Sequence, residues 1–245
     1  MRTRFAVREV CAGGAEVMPE NKGGENPPST AKPVVAAHGN ERLTFFSDGV
    51  FAITITLLVL ELKVPHIAGG PDVGAELAHE LADLLPKFIS HIMSFFVLGI
   101  YWVAHHNIYM YITRHNHTLL WLNTLFLMCV ASIPFPTALL GEYPDQQISV
   151  LAYAGVLIAT GTVLDLIWWY ATTHNLVSEG TEQEFIAFVH TFNRIAPACY
   201  FAAIALSFLN LNLAKLVFFA VAAFYILPNP LYLRHYKKMS KRFNE

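Results

Sequence analysis

Charge is scarce in this sequence. Charged residues make up 14% of its 245 positions and apolar ones 55%, with a mean hydropathy of +0.44, whereas soluble domains carry about a quarter charged residues. The apolar residues gather into long blocks instead of the narrow stripes of soluble amphipathic helices, which excludes a single soluble domain. Cysteine is equally sparse. Cys11, Cys129 and Cys199 stand far apart without CxxC or metal spacing, so no disulfide framework or redox site is implied, and the two within apolar blocks read as small hydrophobes. There is no P-loop, GxSxG, HExxH or Rossmann fingerprint, which leaves an enzyme without a constellation to stand on. GTVLD at 161–165 lacks the TVGYG run whose carbonyls replace potassium hydration, so an ordinary potassium-channel filter is absent too.

Residues 1–40 hold little that could build a core (GGAEVMPENKGGENPPSTAKP) and predict a disordered N-terminal tail. They also lack the apolar run of a cleaved secretory signal. The first hydrophobic helix is therefore expected to direct insertion.

What the sequence does have is six apolar blocks, each near the ~20 residues that cross a bilayer. They run over 43–62, 88–111, 119–140, 150–172, 185–209 and 213–232. Segments this close together must be helical, because lipid offers no partners to open backbone groups. The expected class is an all-α membrane protein of six transmembrane helices. One unit spans 41–233, followed by a basic cytoplasmic tail over 234–245. The fifth block is the least apolar, carrying His190, Asn193 and Arg194 in its first half. The first loop predicts a short amphipathic helix from Val73 to Leu85. Lys and Arg collect in RHYKKMSKRFNE, at Arg114 and at Arg42, which predicts both termini on the cytoplasmic side of the cell membrane. The acidic loop HNLVSEGTEQE runs against that pattern.

The first block, RLTFFSDGVFAITITLLVLELKVP, sets a carboxylate into the head of an apolar helix. On a helical wheel, Gly49, Ile53, Thr56, Leu57, Leu60 and Val64 share one face, and Asp48 and Ser47 lie along neighbouring stripes. Asp48 can therefore be anchored in protein while the Ile53 row faces something else. A carboxylate here seeks partners, and Arg42 is one local candidate. Others are a second-block stripe of His91, Trp102, His105 and Tyr109, and Trp121 and Asn123 of the third block. A structural network tying three helices and a proton or ion relay both fit these residues. His105 and His106 are consecutive, so their side chains diverge by about 100°, and no zinc site forms around them. In IPFPT, 133–137, two prolines predict a kink or helix end.

These residues resemble the transmembrane protein 175 potassium channels. RLTFFSDGVFAITITLLVL looks like that family's first-helix signature, an Arg followed by Phe-Ser-Asp, and FFVLGIYWVAHHNIY and WLNTLFLMCVASIPFPTALLGEY look like its bacterial second and third helices. The resemblance spans about 41–232. It implies a six-helix unit without a re-entrant pore loop, a homotetramer with first helices lining a pore, Ile53, Leu57 and Leu60 as constricting gate, and Thr56 with Ile53 in selectivity. It also implies a structural network of Arg42, Phe46, Ser47, Asp48, His91, Trp102, His105 and Asn123. Potassium is the implied permeant ion, with modest preference over sodium, no cofactor and no resident metal. Membrane lipids are expected partners and nucleic acid is not. The rival expectations are a proton-coupled transporter or proton pathway through Asp48, His91 and His105, and a non-conducting membrane scaffold.

Overall fold

The computed structural model describes residues 34–227 apart from 68, 70 and 71, with only the backbone described over 34–40. Of the expected disordered tail over 1–40, residues 1–33 lie outside the described residues, as does the expected C-terminal tail over 234–245. Helix α1 spans Val34–Leu57 and tightens into a 3₁₀ turn, Leu58–Glu61; α2 spans Val73–Asp83 and α3 Leu85–Tyr111. Then follow α4 (His117–Ser132), α5 (Pro134–Glu142), α6 (Gln147–Thr173), α7 (Gln183–Ser207) and α8 (Leu211–Ile226). The described residues are helical throughout, apart from turns and one isolated bridge between Ile112 and Val177.

The boundaries have local causes. No proline lies between Val34 and Leu43, and α1 starts nine residues before the apolar block does, so residues 34–40, expected to be part of the disordered tail, are helical despite Gly39. Pro134 has no N–H to continue α4, and the chain breaks at Ile133 before resuming as α5. Asn116 caps α4 by accepting from the Leu119 N–H at 2.9 Å, and Asn210 caps α8 by accepting from Asn212 and Leu213. The amphipathic helix expected from Val73 ends at Asp83, and none of its residues is buried.

Four stretches are long and apolar enough to cross a membrane: Glu41–Glu61, Leu85–Tyr111, His117–Glu142 and Gln147–Thr173. Helix α8 is apolar but short, at 16 residues. Helix α7 has the length but not the apolarity, because Glu184, His190, Asn193 and Arg194 lie along it.

Packing alternates up and down. At one end, the α3–α4 and α6–α7 turns meet, with Ser178 N–H donating to Tyr111 O at 2.8 Å and Thr113 N–H to Leu176 O at 3.0 Å. At the other, Lys87 of α3 pairs with Glu142 of α5, and Lys215 of α8 donates to Pro144 O at 3.0 Å. Between them runs a core that includes Phe51, Leu98, Phe126, Tyr153, Trp168 and Phe218. Helices α6 and α7 meet at Gly161, where an added Cβ would lie 2.8 Å from Pro197 Cγ; at Gly155 nothing lies within 4 Å of such a Cβ.

These two glycines make a controlled pair. Gly161→Ala is expected to cost about 1–3 kcal/mol by overpacking, lowering the thermal midpoint in detergent. Gly155→Ala gains helix propensity in open space and should leave the midpoint unchanged or slightly higher.

Candidate functional site

The buried face of α1 runs through Leu43, Ser47, Phe51, Thr54 and Leu58, at helical spacings of three and four. Against it stand α3 and α4, and a hydrogen-bond network joins the three. Ser47 Oγ donates back to Leu43 O at 3.0 Å, which leaves its lone pairs for Asn123 Nδ2, also at 3.0 Å. That donor orients the amide, so Asn123 Oδ1 faces α3 as an acceptor. There it receives the Tyr109 hydroxyl at 3.1 Å and His105 Nε2 at 2.9 Å. The network thus assigns His105 the Nε2–H tautomer, with Nδ1 buried and without a partner. The ring lies parallel to Phe126 at 5.2 Å and stacks on Tyr109 at 4.3 Å.

Asp48 sits one residue beyond Ser47 and points elsewhere. Its Oδ1 accepts from Trp102 Nε1 at 2.9 Å, on the more exposed side of α3, and Trp102 stacks on His106. Five residues expected to form one network are therefore brought to one place: Ser47, Asp48, Trp102, His105 and Asn123. Three are not. Arg42 is exposed and makes no ion pair with Asp48; six residues of helix turn it about 120° away and raise it about 9 Å. Phe46 is exposed outside the network. His91 lies 14 residues from His105 on α3, about 21 Å along the axis, with its Nδ1 buried and without a partner. Tyr109, visible in the sequence as part of the α3 stripe, joins the network without having been assigned to it.

Among the described residues, the other face of α1 is left largely uncovered. Ile53, Leu57 and Leu60 are 62%, 44% and 67% exposed, Thr56 is exposed beside them, and α1 is the least buried of the four long apolar stretches. The 3₁₀ turn matters here, because residues three apart eclipse in that geometry and Leu60 is carried onto the line of Leu57. Thr56 Oγ1 donates to Ile53 O at 2.8 Å, so its hydroxyl proton is committed to the helix and its lone pairs point outward.

A second polar cluster has no counterpart among the expected site residues. Asp165 of α6 accepts from His190 Nδ1 at 2.7 Å and from Arg194 Nε at 2.8 Å, both on α7. Its sequence signal was a lone aspartate in an apolar block and a His–Arg pair four residues apart in the next.

Replacing Asn123 tests the first cluster. Asn123→Ala strands the Ser47, His105 and Tyr109 groups in a dry interface and should cost about 3 kcal/mol or more. Trp102→Phe removes a partly exposed bond and should cost about 1 kcal/mol or less. Thermal unfolding in detergent, read by helical signal and by retention as a monodisperse species, ranks the two.

The family model described as endosomal/lysosomal potassium channel TMEM175 matches residues 42–134, the stretch from the Arg42 signature through α4. A potassium channel from Chamaesiphon minutus is 37% identical over 190 residues, covering 76% of this chain and 93% of that protein. The crystal structure of a lysosomal potassium-selective channel TMEM175 homolog from the same organism superposes with a TM-score of 0.69 at 35% identity, covering 78% of this chain and 97% of that one. The human endosomal/lysosomal proton channel TMEM175 is 28% identical over 136 residues, 53% of this chain and 27% of the human protein. Identity over three quarters of the chain and a shared helical fold place this protein in the TMEM175 family of ion channels, not among enzymes.

Proposed function

We propose that the protein is a potassium-permeable cation channel in which four copies surround an axis lined by α1. The observation that carries this reading is the uncovered row Ile53–Thr56–Leu57–Leu60, on a helix whose opposite face is held by Ser47 and Asp48. Four isoleucines around an axis narrow it until water leaves, which gates ions by dewetting. Leu57 and Leu60 extend the apolar stretch. Thr56 contributes four outward oxygen lone-pair sites, suited to a partly dehydrated cation, beside the Ile53 ring. A lining of this kind discriminates by diameter and hydration, not by a carbonyl cage, so preference for potassium over sodium is modest.

In this reading all six apolar blocks of the sequence cross the cell membrane, α7 and α8 included, and both termini are cytoplasmic. Charge placement supports it. At the end where α3 and α8 begin, Lys and Arg are few: Lys63, and Lys87 and Lys215 beside Glu142 and Asp145. At the other end Glu179 of the acidic loop meets Arg114 at 3.3 Å.

Proton conduction is the second reading, and the name of the human relative favours it. The side chains that would carry it do not form a chain here: Asp48 is held by Trp102 and His105 by Asn123, and His91 stands about 21 Å from His105 along α3.

Planar-bilayer recording of the purified protein separates these readings. The channel reading expects potassium current under a potassium gradient. It expects Ile53→Asn to raise conductance several-fold and move the reversal potential toward the non-selective value. Thr56→Ala should change the potassium-to-sodium ratio with little change in stability, since the side chain packs against nothing. Current that follows only a pH gradient and disappears in Asp48→Asn would instead establish the proton pathway. No flux of any ion would leave a scaffold.

A further inference from the structure

Helix α7 poses a problem that the channel function does not touch. It is 25 residues long, but it misses the apolarity of a membrane span, chiefly through Arg194 and His190. Arg194 lies eleven residues into α7, about 16 Å from its start, and Asp165 lies eight residues, about 12 Å, from the end of α6. Both levels fall inside a hydrocarbon layer about 30 Å thick if these helices cross it. A guanidinium there needs a counter-ion.

We propose that Asp165 is the intramembrane counter-ion that lets α7 cross, so that α6 and α7 enter the membrane as one hairpin. The inference rests on the six-span reading above. Asp165 uses both oxygens on α7, one for His190 Nδ1 at 2.7 Å and one for Arg194 Nε at 2.8 Å, and its side chain is only 13% exposed. The Arg194–Asp165 pair is neutral as a unit, and a neutral hydrogen-bonded pair is far easier to place in lipid than either ion alone. The Arg194 side chain is 64% exposed, and the backward tilt of helical Cα–Cβ bonds directs it toward the start of α7 and so toward the near interface.

The register that brings these groups together is set apart from the charges. Gly161 admits Pro197 where any Cβ would collide, and Trp168 Nε1 donates to Ile186 O at 3.3 Å on the other side of the cluster. These contacts lie above and below Asp165 on one antiparallel seam. Residues 174–182 close the hairpin, with Asn175 and Gly180 in the left-handed backbone region and Leu176 N–H bonded back to Ala171 O at 2.9 Å. So short a connection places α7 beside α6 as soon as it emerges.

Sidedness labelling of the full chain in intact cells tests this, using a membrane-impermeant maleimide and single cysteines after replacement of Cys11, Cys129 and Cys199. Leu209→Cys reports the turn after α7 and Gln183→Cys its start; both positions are exposed. In the parent, Leu209→Cys should react from outside and Gln183→Cys only after permeabilisation. Adding Asp165→Leu should lower the outside-reactive fraction of Leu209→Cys roughly tenfold, and adding Arg194→Leu as well should restore it. Loss of chain in Asp165→Leu that Arg194→Leu reverses counts as the same result, since the unpaired cation is then the cause. Unchanged labelling in Asp165→Leu, or a defect that Arg194→Leu does not repair, overturns the proposal. Both probes reacting from one side in the parent is a separate outcome: it removes the six-span reading itself, and this inference with it.

Discussion

The amide of Asn123 is the constraint on which the arrangement of α1, α3 and α4 turns. It is fully buried among apolar side chains, and each of its polar atoms is used, the nitrogen on α1 and the oxygen twice on α3. In an apolar interface any of several helix rotations would bury similar area, because dispersion and burial have little direction. An amide that must meet a serine on one neighbour and a histidine and a tyrosine on another admits only one rotation of each. Leaving any of the three groups unmet costs more than the bond itself contributes, so the network selects an arrangement as much as it stabilises one.

Fixing the rotation of α1 has a consequence on its far side. With Ser47, Phe51, Thr54 and Leu58 turned inward, the helical period leaves Ile53, Thr56, Leu57 and Leu60 turned outward. Asp48 adds a second restraint about 100° from Ser47, through Trp102. Two polar anchors at different angles resist rotation better than one. A helix held this way can present a row of bare apolar side chains without slumping into its own bundle, and the proposed pore requires such a helix.

Much of this could be read before any coordinates, and the reason differs from element to element. The long helices show as apolar blocks because lipid-facing and core-facing positions are both apolar, so the signal is continuous. The division of α1 into an anchored and a bare face follows from the 3.6-residue period alone. Asn123, His105 and Trp102 stand out because polar side chains are rare within such blocks. The Arg42–Asp48 pairing was also suggested by proximity in sequence, and failed because six residues is a poor helical interval. Tyr109 stood in the same stripe as His105 and Trp102, although the family signature does not include it. The Asp165 cluster was hidden for a different reason. Its members are conspicuous singly, but their meeting depends on the register of two antiparallel helices, and that register comes from a glycine–proline contact with no periodic signature.

The two polar clusters differ in what they ask of the membrane. The Asn123 network is uncharged in the tautomer its bonds assign, so it can lie in the bundle interior with no counter-ion. The Asp165 cluster contains formal charges and sits between helices on the side of the bundle away from α1, where α7 touches α6 and α8. Far from the proposed axis, the paired opposite charges of Asp165 and Arg194 act only weakly on a permeating cation, because the field of a neutral pair falls more steeply with distance than that of a single ion. Charge near the axis would act strongly. Asp48, the carboxylate of the α1 anchor, is turned toward Trp102 instead of onto the Ile53 row, so the apolar stretch stays free of fixed charge. A dewetting constriction requires that, since one ionised group within it would hold water and defeat the gate.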